Sequence, residues 1–318
     1  MIILLYKYKM KKKIIFFILN ITWSMCYSNY FNLYLTNNKL NKYINKGFLP
    51  TGYELYKRNS KYILDGVLTN KQIDNFYDNG YVIINNLINS NLINKAKKIN
   101  FENKYEIKEY GSIIFNPLKN SSTFLEIANI IGKAVAQLTP IIDDGDVDLH
   151  IINDKILIFN GGINGTSNGF NWHINKIPIH ENSLGPGISA YVALDDIDEN
   201  GGGICLAHKS HTKKYIKYRN NTNNCNELNN IIYAPQLNKG DVILLTRFLF
   251  KKTSKFNNPL KKKNISRYII NYMPSNGIVT NTKYKNITIK ELNKKNINTF
   301  IKIPLKKTYS YKYNYDYK

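Results

Sequence analysis

A change in sequence pattern near residue 149 constrains the fold of this chain more than any other feature. The residues before it contain amphipathic segments with helix-capping signals. The residues after it form short β-rich runs separated by loops rich in Asn, Gly and Lys: LHIIND, ILIF, ISAYVAL, GICLA, DVILLTRFLF and RYIINYM. Helices followed by many short strands predict an α+β protein whose strands form a sandwich or barrel.

Three helices are predicted before that boundary. Thr69 has the capping-box spacing with Gln72, and the helix that follows should end at Gly80. Ser90 is predicted to cap a second helix. A longer apolar stripe in TFLEIANIIGKAVAQL predicts a third helix, in which the capping-box pair is T-x-x-E at its start, Thr123 with Glu126.

The net charge of +23 is concentrated at the two ends of the chain. Residues 1–63 carry eleven basic and one acidic residue, and residues 275–318 carry ten and two, whereas residues 64–274 carry 24 and 19. Lysine is interleaved with Asn, Ile and Tyr, and the sequence has no zinc-finger spacing, basic helix or RNA-binding signature. Nucleic-acid binding is therefore not predicted, and the basic Lys/Tyr-rich segment 277–318 is interpreted as a solvated tail.

The first 65 residues have the composition of a targeting leader. A lysine-rich start, the apolar run IIFFILNITW and the small residues of SMCYS predict a signal peptide over residues 1–26, with a signal anchor as the alternative. The basic, acid-poor segment 27–65 resembles the second part of the leader that directs proteins to an apicoplast-type plastid. We expect import into the secretory pathway and then the plastid, with secretion as the alternative, and no stable membrane span after cleavage.

The four residues WHIN, Trp172 to Asn175, raise the question of a metal site. Side chains at i and i+2 on a strand point to the same side, so His173 and Asn175 could share one metal ion. The pair that binds iron in this arrangement is His-x-Asp. Here the carboxylate is replaced by an amide.

Five segments in order resemble the phytanoyl-CoA dioxygenase-like family of Fe(II)/2-oxoglutarate-dependent oxygenases: FYDNGYVIINNLI, NWHIN, ISAYVALDDIDENGGGICLAHKSH, NKGDVILLTRFLF and SRYIINYMP. The resemblance covers residues 66–276. It implies one domain with a double-stranded β-helix (a jelly roll of the cupin type) and N-terminal helices packed on the barrel.

The resemblance also implies a facial triad of two histidines and one carboxylate around Fe(II). His173 matches the first histidine, and Asn175 stands in place of the carboxylate. The second histidine is replaced by Lys251, or by Lys252 if the register slips by one residue; strand parity with Asp241 favours Lys251. The metal triad is therefore degenerate.

The cosubstrate position is better preserved. By the resemblance, Arg267 would pair with the distal carboxylate of 2-oxoglutarate, Thr253 takes a hydroxyl position that helps to hold it, and Tyr191 is an aromatic residue facing it. The family therefore implies Fe(II) and 2-oxoglutarate as cofactors and a small or lipid-like molecule as substrate.

Two functions remain open from the sequence. The altered triad favours an inactive or catalytically altered relative whose pocket binds an anion, because a lysine must lose its proton before its amine can ligate a metal. The alternative is an active dioxygenase that hydroxylates its substrate through a rearranged metal site, with His180, His208 or His211 supplying a missing ligand.

Overall fold

The computed structural model describes residues 62–64, 67–107, 111–138, 149–159, 166–167, 171–174, 187–197, 203–218, 226–254, 256–257, 264–274, 278–279, 287–288, 301–303 and 307–309. The chain divides into two compact units, residues 1–46 and 47–318. The predicted signal peptide lies outside the described residues. In the described part, no helix is long and apolar enough to cross a membrane.

Four α-helices are described: α1 Asn70–Asn79, α2 Ser90–Lys97, α3 Ser122–Leu138 and α4 Asn226–Asn229. The predicted start and end of α1 are confirmed. Thr69 and Gln72 form a reciprocal capping box, and Gly80 ends the helix in the left-handed conformation with φ +83°.

The predicted caps of the other two helices are wrong by one or two residues. Asn89, rather than Ser90, caps α2, because its backbone is extended and its Oδ1 accepts a hydrogen bond of 2.8 Å from the backbone N–H of Leu92. At the start of α3, Ser121 Oγ accepts from the N–H of Phe124 at 3.4 Å. Thr123 and Glu126, the predicted capping pair, therefore both lie inside this helix. The backbone N–H of Glu126 is bonded within the helix there and needs no cap from Thr123.

Seventeen strands are described: β1 Tyr62–Leu64, β2 Tyr81–Ile84, β3 Tyr105–Ile107, β4 Gly111–Phe115, β5 Leu149–Phe159, β6 Thr166–Ser167, β7 Ile188–Ala193, β8 Ile204–Ala207, β9 Ile232–Tyr233, β10 Val242–Thr246, β11 Lys251–Thr253, β12 Phe256–Asn257, β13 Ile265–Pro274, β14 Ile278–Val279, β15 Ile287–Thr288, β16 Ile301–Ile303 and β17 Lys307–Tyr309. They are separated by loops, as the sequence predicts.

The strands form one large antiparallel sheet and several small ones. The large sheet has the order β2-β10-β7-β13-β5-β4-β3, with β16 also paired to β5. A three-stranded sheet has the order β11-β8-β9, and β12 pairs with β6. This arrangement confirms the predicted double-stranded β-helix with helices packed on it.

Apolar side chains from both main sheets meet in one buried cluster: Tyr81, Tyr191, Ala193, Ile243, Leu245 and Ile269 from the large sheet, and Ile204 and Leu206 from β8. The other face of the large sheet packs against α3. There the Phe124 and Tyr268 rings lie 4.7 Å apart, and the Tyr272 hydroxyl donates to the carbonyl of Ala128 at 2.9 Å. The interior between the sheets is therefore separate from the helix layer.

Part of the segment that we interpreted as a solvated tail is ordered as strand. β16 pairs with β5, and β17 pairs with β1. Sequence periodicity did not reveal these strands, because each is only three residues long and its partner lies far away in the chain.

Candidate functional site

The segment that contains His173 adds to the edge of the three-stranded sheet. The backbones of His173 and Lys251 exchange two hydrogen bonds, of 2.9 and 3.0 Å, in an antiparallel bridge. Residues paired in this way place their side chains on the same face. Lys251 also lies opposite Leu206 of β8, a member of the interior cluster. The structure therefore brings His173 and Lys251 together on the interior face.

Lys251 is buried to an unusual degree for a lysine, with 1% of its surface exposed. Its Nζ has no hydrogen-bond partner in the described part of the chain and lies 5.8 Å from the centre of the Tyr191 ring, across the gap between the sheets. Burial, assisted by the charge of Lys155, lowers the pKa of Lys251 from 10.5 to about 7.

Lys252 points the opposite way. Its Nζ lies 4.8 Å from the centre of the Trp172 ring and donates to Asn229 Oδ1 at 3.3 Å. Trp172 belongs to a second apolar cluster, which packs on the outside of the three-stranded sheet. Lys251, not Lys252, is thus the lysine that occupies the interior.

Arg267 reaches the same interior from β13, in the middle of the large sheet. It is 3% exposed, and its Cζ lies 4.5 Å above the Phe159 ring. Burial lowers the pKa of Arg267 to about 10, while Tyr191 and Cys205 raise it, so the guanidinium stays cationic at neutral pH. A buried guanidinium against an aromatic ring is a rigid donor for a carboxylate.

Lys155 is a third cation of this interior, and the sequence analysis missed it. It lies on β5 opposite Ile269 of β13, and Ile269 lies opposite Tyr191. Burial lowers the pKa of Lys155, and its charge acts on both Lys251 and His173. The strand alternation that places Lys155 on the face of Leu157 was the available signal.

The buried carboxylates of the described chain are all engaged elsewhere. Asp154 accepts from the Tyr268 hydroxyl on the helix side of the sheet, Asp195 accepts from Lys97 and Ser266, and Asp241 accepts from two turn amides. These three carboxylates therefore do not pair with Lys251, whose Nζ has no hydrogen-bond partner among the described residues. Such a cation attracts anions.

His173 is held in one tautomer. A carbonyl oxygen only accepts, so the 2.7 Å contact between His173 Nδ1 and the Asn171 carbonyl means that Nδ1 carries the proton. Burial first, and then the charge of Lys251, lowers the pKa of His173 to about 4. The ring is therefore neutral at physiological pH.

The remaining predicted residues are placed as follows. Thr253 is buried on the same strand face as Lys251, opposite Ile204. Asn175 and His180 lie outside the described residues. His208 contacts the Tyr81 hydroxyl through Nδ1 at 3.3 Å. His211 is fully buried and packs against Gly80, the residue that ends α1.

The described residues around His173 do not fit an Fe(II) site. The described residues contain no group of three His, Cys, Asp or Glu side chains that could hold a metal ion. Next to His173 they offer a lysine, with two further cations nearby and no carboxylate to balance the charge of the metal.

Comparison with solved structures shows which folds this chain resembles. The chain resembles a non-heme α-ketoglutarate-dependent epimerase, SnoN from nogalamycin biosynthesis (TM-score 0.55, 13% identity, 67% of this chain and 86% of that one), and EctD from S. alaskensis with bound Fe (TM-score 0.55, 14% identity, 70% and 83%). It also resembles the carbocyclase SnoK from the nogalamycin pathway (TM-score 0.50, 13% identity, 67% and 87%). No family model matches the chain, and no curated protein matches it significantly.

At these identities the likeness shows the fold and not the chemistry. The chain shares the jelly-roll fold of these solved structures. In its interior, the buried lysine Lys251 lies opposite His173.

Proposed function

We propose that this protein is a phytanoyl-CoA dioxygenase-like relative that binds a small carboxylate ligand between its sheets without iron. The single observation that carries the proposal is Lys251, which is buried, has no hydrogen-bond partner among the described residues and lies opposite His173. A cation buried in this way is unfavourable unless a ligand of opposite charge joins it.

The other interior cations define the ligand. Arg267 offers a planar fork suited to one carboxylate, Lys155 supplies a point charge from the same large sheet, and Lys251 supplies one from the facing sheet. The apolar cluster around them excludes water, which strengthens each charge-assisted hydrogen bond. A dicarboxylate such as 2-oxoglutarate matches this distribution of charge.

Calorimetry of the full chain in EDTA with 2-oxoglutarate tests the proposal. Wild type should bind without metal. Arg267→Ala should weaken binding by about 2 kcal/mol or more, as should Lys251→Met, because each removes a charged hydrogen-bond donor. Arg267→Lys should recover little, since it lacks the planar fork. Lys252→Met is the matched control: it removes a neighbouring lysine from the outer face and should bind as wild type does.

Metal analysis completes the test. Iron at one ion per chain, combined with 2-oxoglutarate binding that is lost in EDTA, would contradict the proposal and support the active-dioxygenase alternative. Conversely, Asn175→Asp with Lys251→His should create a Co(II) site that wild type lacks, because the pair restores both donors beside His173.

A further inference from the structure

We propose that the binding interior continues into an aromatic subsite, formed by Phe115 and Tyr105, which selects carboxylates that carry a planar aromatic ring. This inference deepens the proposed function, on which it rests for the anion-binding interior and its cation Lys155. It names a binding surface beyond the space between the sheets and the class of molecule that this surface takes.

A single row of side chains leads from the interior to the subsite. Tyr191 of β7 lies opposite Ile269 of β13, which lies opposite Lys155 of β5. Lys155 in turn lies opposite Phe115 of β4. Residues paired in this way project from the same face of a sheet. Phe115 therefore lies on the face that lines the interior, next to one of its cations.

Burial decreases along this row. Tyr191 and Ile269 are buried, Lys155 is half-buried, and Phe115 is 51% exposed. On the edge strand β3, Tyr105 is 57% exposed, and its ring centre lies 5.7 Å from that of Phe115, with 61° between the ring planes. The same face of the large sheet is thus closed at β13 and open at β4 and β3.

The two rings favour an aromatic partner. Exposed apolar side chains that are grouped in one place mark binding sites, whereas single ones do not. Phe115 and Tyr105 are in edge-to-face contact, and such a pair presents a ring face on which a further planar ring packs. The chemistry of the patch therefore matches a flat aromatic group better than a flexible chain.

The neighbouring cation favours a carboxylate on that ring. Paired residues on adjacent strands lie about 5 Å apart, so the flexible stem of Lys155 can bring its ammonium to a carboxylate attached to a ring on Phe115. None of the ion pairs in the described part of the chain involves Lys155. Its charge is therefore available to a ligand.

Fluorescence titration of the full chain in EDTA with 2-naphthoate tests the inference. This probe joins a planar double ring to one carboxylate. Benzoate should displace it. Benzyl alcohol, which lacks the charge, and cyclohexanecarboxylate, which lacks the planar ring, should each need a concentration about tenfold higher than benzoate. Equal displacement by all three would refute selection for aromatic carboxylates.

Substitutions along the row locate the site. Phe115→Leu and Tyr105→Leu keep an apolar side chain without a planar ring, and each should weaken 2-naphthoate binding about fivefold. Lys155→Gln should weaken it about tenfold, and Lys155→Arg should restore most of the loss. Tyr233→Leu is the matched control, because it removes a 44% exposed tyrosine from β9 at the edge of the small sheet and should bind as wild type does.

Folding and self-association are checked on the same variants. Both rings are at least half exposed, so Phe115→Leu and Tyr105→Leu should unfold in urea close to the wild-type midpoint. Wild type should sediment as the same species as Phe115→Leu. A wild-type dimer that Phe115→Leu dissociates would overturn the inference, because a second copy of the chain would then cover the rings.

The two ligands separate this inference from the proposed function. If 2-oxoglutarate binds in EDTA but 2-naphthoate does not, or binds equally well to Phe115→Leu or loses as much affinity in Tyr233→Leu, the aromatic subsite is refuted and the proposed function stands. If 2-naphthoate binding depends on Phe115 and Lys155 but 2-oxoglutarate does not bind, the subsite stands and the dicarboxylate site fails. If neither ligand binds, both fail.

Discussion

Lys251 places a cationic group in an apolar interior, and this has a measurable consequence for stability. Its pKa falls from 10.5 in the unfolded chain to about 7 in the fold, so between these values the unfolded state binds the extra proton. Stability therefore rises with pH across this window and falls as pH drops toward 7. The difference between the two pKa values corresponds to about 5 kcal/mol.

We expect Lys251→Met to raise the free energy of unfolding in the absence of ligand, because methionine fills a similar volume without a charge. The gain should be largest near pH 6.5 and should shrink by about 3 kcal/mol by pH 9.5, where the wild-type penalty has largely disappeared. Urea unfolding at a series of pH values measures this.

The matched control is Lys252→Met. It should show no comparable gain, since the Lys252 Nζ already donates to Asn229 Oδ1 at 3.3 Å on the outer face. An equal gain from both variants, or a gain from Lys251→Met that does not change with pH, would contradict the assignment of a buried, unpartnered amine.

At the level of elements, the turn before β10 fixes the register of the strand that carries Ile243 and Leu245 into the interior cluster. Asp241 accepts hydrogen bonds from the backbone N–H groups of Asn86 (2.7 Å) and Asn238 (2.8 Å). Gly240 has φ +97°, and a Cβ there would collide with the carbonyl oxygen of Ile88. Only glycine meets both conditions.

Gly240→Ala should therefore lower the free energy of unfolding by at least about 2 kcal/mol, from left-handed strain and from displacement of the Ile88 backbone. Thermal or urea unfolding checks this. Lys239→Ala, one residue earlier, loses only an exposed hydrogen bond to Asn94 and should change stability by about 0.5 kcal/mol or less. A Gly240→Ala variant as stable as this control would show that the turn relaxes freely.

At the scale of the whole molecule, buried tyrosine hydroxyls form bonds within the helix layer, within the large sheet and between the two. Tyr272 of β13 donates to the Ala128 carbonyl in α3, and Tyr77 of α1 donates to the Leu138 carbonyl at 3.0 Å. Tyr268 donates to Asp154 Oδ2 at 3.0 Å within the sheet. The Tyr272 bond joins α3 to the sheet, on the face opposite the interior cluster, and the Tyr77 bond joins α1 to α3.

Tyr272→Phe should destabilise the fold by about 1 kcal/mol, because it removes one fully buried hydrogen bond and little apolar area. The denaturant m-value should not change, since the same surface unfolds. Tyr233→Phe, on an exposed ring stacked against Tyr81, is the control and should be close to neutral. A neutral Tyr272→Phe would show that the helix layer does not depend on this bond.

Much of the fold was predictable because its signals are local. Strand alternation and turn residues predicted the β-rich half, and the α1 cap was read from two side chains three residues apart, Thr69 and Gln72. The predicted cap was wrong where several neighbouring polar residues could each cap the helix, as at Asn89 and Ser90. There the choice depends on which backbone is extended, and the surrounding packing decides that.

The candidate site was predictable only in its composition. The sequence by itself predicted that Arg267 keeps the cosubstrate position and that a lysine stands at the position of the second histidine, and parity favoured Lys251 over Lys252. Only the tertiary structure decided that Lys251 lies opposite His173, that Lys155 joins it from β5, and that β16 adds to the large sheet. The physical reason is that burial and charge balance arise from residues distant in sequence, and no local pattern records which strands will face each other across the barrel.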